Sequence, residues 1–242
     1  MKLEKQLTTK SFHIDRFGKL STSFMFYQMQ EMAWEHANMM GFGYDQLREG
    51  QLFWILSRLL VKIKQRPKWK ESFKLETWSR GTDGFYGYRD FLFIDAKGQR
   101  IIEATSSWLA LNIETKKIHR LNQLTHFQTY GKSIFGKDAG KVKSPDSSGD
   151  AEFTPVRFNE IDINQHFSTA RYIERIIDSY CFDFHENNEL AEYEINFVKE
   201  GMPNDRLAVK KQFVDENNHI CSVIRESDGA GLVRARLVWK AR

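Results

Sequence analysis

Asp162, Asn164 and His166 set a carboxylate, an amide and an imidazole at every second position of the stretch Asp162-Ile163-Asn164-Gln165-His166. Side chains alternate along an extended segment, so these three would project from one side. Such a trio could move a proton and stabilise a developing anion. The residues that follow read as a helix. Ser168 or Thr169 can serve as its N-cap, and Tyr172, Ile173, Ile176, Ile177, Tyr180 and Cys181 repeat as one apolar face. The start of that helix offers free N–H groups and partial positive charge, which suit negative charge developing nearby. Taken singly, each of the three polar residues is more often a cap or turn residue. A calcium loop fails, because its sixth position would be Phe167 instead of Gly and its twelfth Ile173 instead of Glu. A zinc site lacks a second His or Cys at ligand spacing, and no metal or cofactor is expected.

Positioning such a trio takes a core, and the chain can build one. Its 242 residues are 41% hydrophobic and 14% aromatic, with 19 Phe. A net charge of +4 is too small to indicate nucleic acid and suits an acidic partner. Cys181 and Cys221 show no metal or redox spacing, which points to a reducing compartment. The first fifteen residues hold no apolar signal core, and no run reaches 18 apolar residues. A soluble, cytoplasmic protein without membrane insertion is expected.

The pattern of elements repeats. Residues 11–15 read as a short strand leading to Asp15. Ser21, Thr22 or Ser23 then caps a helix whose inner face is Met25, Met29, Met32, Ala33, His36 and Met40, ended by Gly41 and Gly43. Strands are predicted over 54–63, 73–79, 86–94 and 101–111, with a short one near 116–121; Asp95-Ala96-Lys97-Gly98 joins two of them as a hairpin. Residues 125–150, rich in Gly, Lys and Ser, read as a linker. A second series follows: a strand at 153–158, the organising stretch and its helix, then strands at 192–198, 206–213, 220–226 and 231–239. The domains are therefore 1–124 and 151–242. With Asp15 set on Asp162, Ser21 and Thr22 fall on Ser168 and Thr169, Phe17 on Asn164 and Lys19 on His166. Only the second copy carries the trio. A purely structural requirement should appear in both copies, which favours function for Asn164 and His166.

A long helix followed by an antiparallel sheet, twice in one chain, resembles a double hotdog: an α+β fold of two tandem domains, each a central helix wrapped by a sheet. The order of His13-Ile14-Asp15, Trp34-Glu35-His36-Ala37, Gly41-Phe42-Gly43, Trp54-Ile55-Leu56-Ser57-Arg58, Glu76-Thr77-Trp78-Ser79-Arg80-Gly81, Tyr88-Arg89-Asp90-Phe91 and Trp108-Leu109-Ala110-Leu111-Asn112 is similar to that of the acyl-acyl carrier protein (acyl-ACP) thioesterases. Asp162-x-Asn164-x-His166 resembles that family's catalytic loop, and the family's glutamate falls on Glu200. Read alone, Glu200 beside a Gly is more often a solvated strand end, and only the resemblance makes it catalytic. Plant members carry Cys after that Glu; here Gly201 excludes a thiol nucleophile. Ser168-Thr169 replace the usual Asn pair and can still cap.

The resemblance implies thioester hydrolysis without a cofactor. Glu200 with His166 would activate water, Asn164 and helix N–H groups would hold the oxyanion, and Asp162 would orient the loop. Direct carboxylate attack stays open. The acyl chain would lie in the first domain, with Met25, Met29, Met32, Trp34, Phe53 and Trp54 as lining candidates. The implied partner, acyl carrier protein bearing a fatty acyl chain, is acidic. Lys62, Lys64, Arg66, Lys68 and Lys70, or Lys116, Lys117 and Arg120, or Arg206, Lys210 and Lys211, are candidate docking cations. An acyl-CoA thioesterase, a non-catalytic fatty-acyl-binding hotdog protein and a hotdog dehydratase are the competing readings. A monomer or a homodimer fits equally.

Overall fold

The computed structural model describes residues 1–121, 133–146 and 151–242. The chain forms two compact units, Met1–Ala139 and Gly140–Arg242. In the first, strands β1 (Leu3–Thr8), β2 (Leu52–Ile63), β3 (Ser72–Thr82), β4 (Tyr86–Asp95) and β5 (Arg100–Asn112) pair antiparallel in the order β1-β3-β4-β5-β2, and β6 (Ile118–His119) adds to β5. The β4–β5 hairpin closes as the sequence predicts. The Asp95 carboxylate accepts the amides of Lys97 and Gln99, and Gly98 takes φ +79°, a conformation open to glycine.

Helix α1 (Thr22–Met39) is capped by the Ser21 hydroxyl, which accepts the Phe24 amide, and Gly41 leaves the helix end at φ +78°. Met25, Met29, Met32, Ala33 and His36 are buried along it, as the spacing predicted, whereas Met40, expected on the same face, lies past the helix end and is half-buried. A short helix, α2 (Tyr44–Glu49), follows. The buried face also carries charge. Arg89 of β4, 5% exposed, donates from one nitrogen to His36 Nδ1 at 2.9 Å and to Thr77 Oγ1 at 3.1 Å. His36 is therefore the neutral Nε2–H tautomer, and it donates to the Met1 carbonyl at 3.3 Å.

In the second unit, β7 (Thr154–Pro155), β8 (Asn188–Phe197), β9 (Arg206–Phe213), β10 (Asn218–Arg225) and β11 (Gly231–Ala241) pair antiparallel in the order β8-β11-β10-β9-β7. Helix α3 (Thr169–Asp178) buries Ala170, Tyr172, Ile173 and Ile176. It stops before Tyr180, which is also buried; Cys181 is exposed and starts the short α4 (Phe182–Asn187). The apolar face read from the sequence thus bends at Ser179 instead of running on as one helix.

Several boundaries shift. Residues 11–15 form a 3-10 turn at Ser11–His13, not a strand, and 153–158 shrinks to Thr154–Pro155 before a 3-10 turn at Phe158–Glu160. In the linker reading, 125–132 and 147–150 lie outside the described residues. Residues 133–146 hold no strand or helix but are tied down. The Ile134 amide donates to the buried Asp90 carboxylate, and Asp138 pairs with Arg80. The Gly140 and Val142 amides donate to Glu194 and Asn196. No helix among the described residues is long and apolar enough to cross a membrane.

Candidate active site

The loop of residues 161–168 is built by its own aspartate. Ile161 and Phe167 bridge antiparallel, and the Asp162 amide donates to the His166 carbonyl at 2.8 Å. Asp162 Oδ1 accepts the amides of Asn164 at 2.8 Å and His166 at 3.3 Å. The Gln165 amide donates to the Asp162 carbonyl, and Gln165 takes φ +64°. The segment is therefore a tight turn and not the extended run that alternation predicted. A short carboxylate two to four residues before free amides captures them, and the chain closes on itself. Asp162 turns into the loop, while Asn164 is exposed and His166 half-buried.

The loop is fastened to the strand end that carries Glu200. The Phe167 amide donates to the Gly201 carbonyl at 2.8 Å, and the Val198 and Lys199 amides both donate to Leu232. This brings His166 Nε2 to 3.4 Å from Glu200 Oε2, with the imidazole side chain 20% and the carboxylate 40% exposed. An imidazole and a carboxylate at that separation, partly open to solvent, can pass a proton between them and take one from a water. Ser168 occupies the N-cap without a side-chain cap bond, so its hydroxyl does not consume the first amides of α3. Of the four expected catalytic residues, His166 and Glu200 stand together, Asn164 sits on the same turn, and Asp162 supports the turn from within.

The same loop exists in the first unit. Ile14 bridges Leu20, and the Asp15 amide donates to the Lys19 carbonyl at 2.8 Å. Asp15 Oδ1 accepts the amides of Phe17 at 2.9 Å and Lys19 at 3.2 Å, and Gly18 takes φ +68°. The Leu20 amide donates to the Pro67 carbonyl at 2.8 Å, as Phe167 does to Gly201. The repeat register read from the sequence is thus a register of hydrogen bonds. Arg66 occupies the place of Glu200, before the anchoring carbonyl, and its Nη1 donates to Asp15 Oδ2 at 2.6 Å. Arg66 is 8% exposed, which removes it from the expected row of docking cations. Lys64, Lys68 and Lys70 are exposed.

The lining candidates divide. Met25, Met29 and Met32 are buried on the inner face of α1. Phe53 and Trp54 are half-buried on β2; the Trp54 indole donates to the Phe42 carbonyl at 2.9 Å, and Lys116 lies over the Phe53 ring. Trp34 is 44% exposed and meets Tyr44 edge-on. The structure does not bring it onto the buried face, because it follows Ala33 by one residue, about 100° around the helix. Sequence reading also took Tyr172 only as a core residue, whereas it packs against the loop: its ring lies 4.6 Å from that of Phe167.

Known proteins resemble this chain in sequence and fold. Residues 1–125 match the family model of the acyl-ACP thioesterase N-terminal domain, and residues 143–241 match that of its C-terminal domain. A chloroplastic acyl-[acyl-carrier-protein] hydrolase of Cuphea viscosissima is 26% identical, over 96% of this chain and 60% of its own length. A chloroplastic dodecanoyl-[acyl-carrier-protein] hydrolase of Cinnamomum camphora is 23% identical, over 88% of this chain and 61% of its own. The chain therefore spans about three-fifths of the length of these plant relatives. The crystal structure of an acyl-ACP thioesterase from Bacteroides thetaiotaomicron superposes with a TM-score of 0.89 at 24% identity, covering 99% of this chain and 98% of that one. That of a 12:0-ACP thioesterase from Umbellularia californica gives 0.84 at 19% identity, covering 100% and 98%. With both domain models matched in order and the double hotdog in common, the chain belongs to the acyl-ACP thioesterase family.

Proposed function

We propose that the protein hydrolyses the thioester of a fatty acyl chain carried on acyl carrier protein, releasing free fatty acid and the carrier thiol. The observation that supports this most directly is the His166–Glu200 pair, formed on a loop whose twin carries Lys19 and Arg66 instead. Water attacks the thioester carbonyl while Glu200, with His166, takes its proton. The Asn164 amide group and the first N–H groups of α3 stabilise the oxyanion. The carrier thiolate leaves and takes up the proton that the pair has held, so atoms and charge balance. Asp162 keeps Asn164 and His166 in place through their amides. Gly201 offers no thiol, so the attacking group is water or the Glu200 carboxylate itself, and the same residues serve both routes. The acyl chain belongs, on this reading, to the first unit, where Met25, Met29 and Met32 line the inner face of α1. The two free thiols fit a reducing, cytoplasmic setting.

Thiol release from acyl-ACP and acyl-CoA of matched chain length tests the reading, with wild type beside His166→Ala and Glu200→Ala. Release from acyl-ACP that falls about 100-fold or more in both variants, with unchanged thermal midpoints, is the expected result. Equal or faster release from acyl-CoA would move the substrate to another carrier. No release from either, with a fatty chain retained, would make the protein a binder.

A further inference from the structure

Gly201 lies immediately after Glu200 and is buried. Its φ is not positive, so backbone conformation does not demand glycine there. Space does. A Cβ at this position would lie 2.7 Å from the Tyr172 hydroxyl oxygen, 3.0 Å from Phe167 Cβ and 3.4 Å from Leu232 Cδ1. None of the three neighbours can give way easily: Tyr172 and Phe167 are 3% exposed and Leu232 is 0% exposed.

The Tyr172 hydroxyl is unusual in its own right. Its one polar neighbour among the described residues is the Gly201 amide, whose geometry falls short of a full hydrogen bond. Burial raises its pKa well above the ordinary phenol value, with the Gly201 amide facing it and pulling the other way. A buried hydroxyl held by so poor a hydrogen bond costs free energy, so an apolar ring would serve packing as well. The first copy makes that point. Met25, at the position equivalent to Tyr172, is fully buried and apolar, and its anchoring residue is Pro67.

We propose that Tyr172 is a positioning residue. Its hydroxyl, with the Phe167 side chain, clamps Gly201, keeps that position free of a side chain, and thereby sets the distance between Glu200 and His166. The Phe167 amide fixes the Gly201 carbonyl from the loop side, one residue from His166. Beyond Gly201, the Met202 amide donates to Asp205 Oδ2 at 2.8 Å, and Arg225 reaches the same oxygen. Residue 200 is therefore held between fixed points, and the phenolic oxygen is the spacer on one side. Losing it lets the strand end settle toward the helix; crowding it pushes the strand end away. Either movement changes a 3.4 Å separation on which the proposed proton transfer depends.

This inference rests on the proposed hydrolysis for its kinetic readout, and a second readout is independent of it. Tyr172→Phe, Gly201→Ala and the double variant are compared with wild type in the full chain. Tyr172→Phe is expected to keep or raise the thermal midpoint while kcat falls several-fold with KM within about two-fold. Gly201→Ala is expected to lower kcat about 10-fold or more. Removing the phenolic oxygen relieves the shortest contact of the added methyl and leaves that with Phe167, so the double variant recovers part of that loss. A role confined to packing would instead lower the midpoint and leave kcat intact. His166 is followed by NMR titration in all four proteins; its midpoint is expected to shift in both single variants and return toward wild type in the double. Wild-type kcat in Gly201→Ala, or a double variant no better than Gly201→Ala, would overturn the clamp. If wild type hydrolyses no thioester, the proposed function fails, and the His166 titration alone then decides whether the clamp stands.

Discussion

The loops at Asp15 and Asp162 have one backbone and two purposes. Each closes on an aspartate that accepts two loop amides, and each hangs by one amide from a carbonyl on a neighbouring segment. The difference lies in what precedes that carbonyl. In the first copy it is Arg66, which neutralises Asp15 and is covered. In the second it is Glu200, of the same sign as Asp162. Glu200 cannot pair with the loop aspartate and faces His166 instead. Two exchanges, Arg66 for Glu200 and Lys19 for His166, separate a closed structural corner from an open pair of groups able to exchange a proton. The aspartate itself is common to both copies, which marks it as scaffold. Only Asn164, His166 and Glu200 separate the proposed chemistry from the fold.

Replacing each aspartate separately tests that division most severely. Asp162→Ala is expected to lower turnover about 100-fold or more, because His166 and Asn164 lose the oxygen that holds their amides. Asp15→Ala should leave turnover per folded molecule within about two-fold. It should cost about 2–4 kcal/mol of stability, since Arg66 loses its carboxylate in a covered site and keeps the Leu20 carbonyl. Urea midpoints and kcat for the two proteins decide the matter. A large loss of turnover in Asp15→Ala, at matched folded fraction, would break the comparison.

Much of this was legible in the chain. The repeat register came from Asp15, Asp162 and the Ser-Thr pairs, because caps and loop aspartates are local devices that leave a local mark. Strand β9 carries the bounds that alternation predicted, and the inner face of α1 follows its methionines. Strand β1 escaped because Leu3–Thr8 alternates with charge and half-exposed side chains, which reads as polar surface. The six-residue helices α2 and α4 are too short to show a period. The turn geometry at Asp162 was missed, although Gly18 at the matching place in the first copy was a usable turn signal. Glu200 and Tyr172 depend on contacts across long separations. Nothing local distinguishes a carboxylate facing His166 from a solvated one, or a core tyrosine from a spacer.

The two cores also differ in how they bury an imidazole, and acid should expose that. His36 has its pKa lowered to about 4, first by burial and then by the adjacent Arg89, itself brought down to about 9 by burial. The unfolded chain takes up a proton near pH 6.5 that the folded chain refuses. This contribution is therefore complete above about pH 6.5 and is lost as pH falls toward 4, by as much as about 3 kcal/mol. His219, in the second copy, is lowered too, by burial and against the pull of Asp215. Thermal midpoints between pH 7 and 4.5 should fall in wild type and flatten in His36→Gln more than in His219→Gln. A steeper flattening in His219→Gln would place the acid-sensitive core in the second unit.

The smallest expected effect concerns the one residue that must turn left-handed in each loop. Gly18 does so at φ +68° at no steric cost, whereas Gln165 does so at φ +64° with a full side chain. Gly18→Ala should therefore destabilise by about 1 kcal/mol, and Gln165→Gly should be neutral or stabilising by up to about 1 kcal/mol. The second substitution also frees a loop that must hold His166 against Glu200, so its stability gain should come with a lower kcat. A Gln165→Gly protein with unchanged kcat would mean that Asp162 and the Phe167–Gly201 hydrogen bond fix the loop unaided. A drop in kcat with no loss of stability would show that strain at Gln165 is part of how the second copy keeps its geometry.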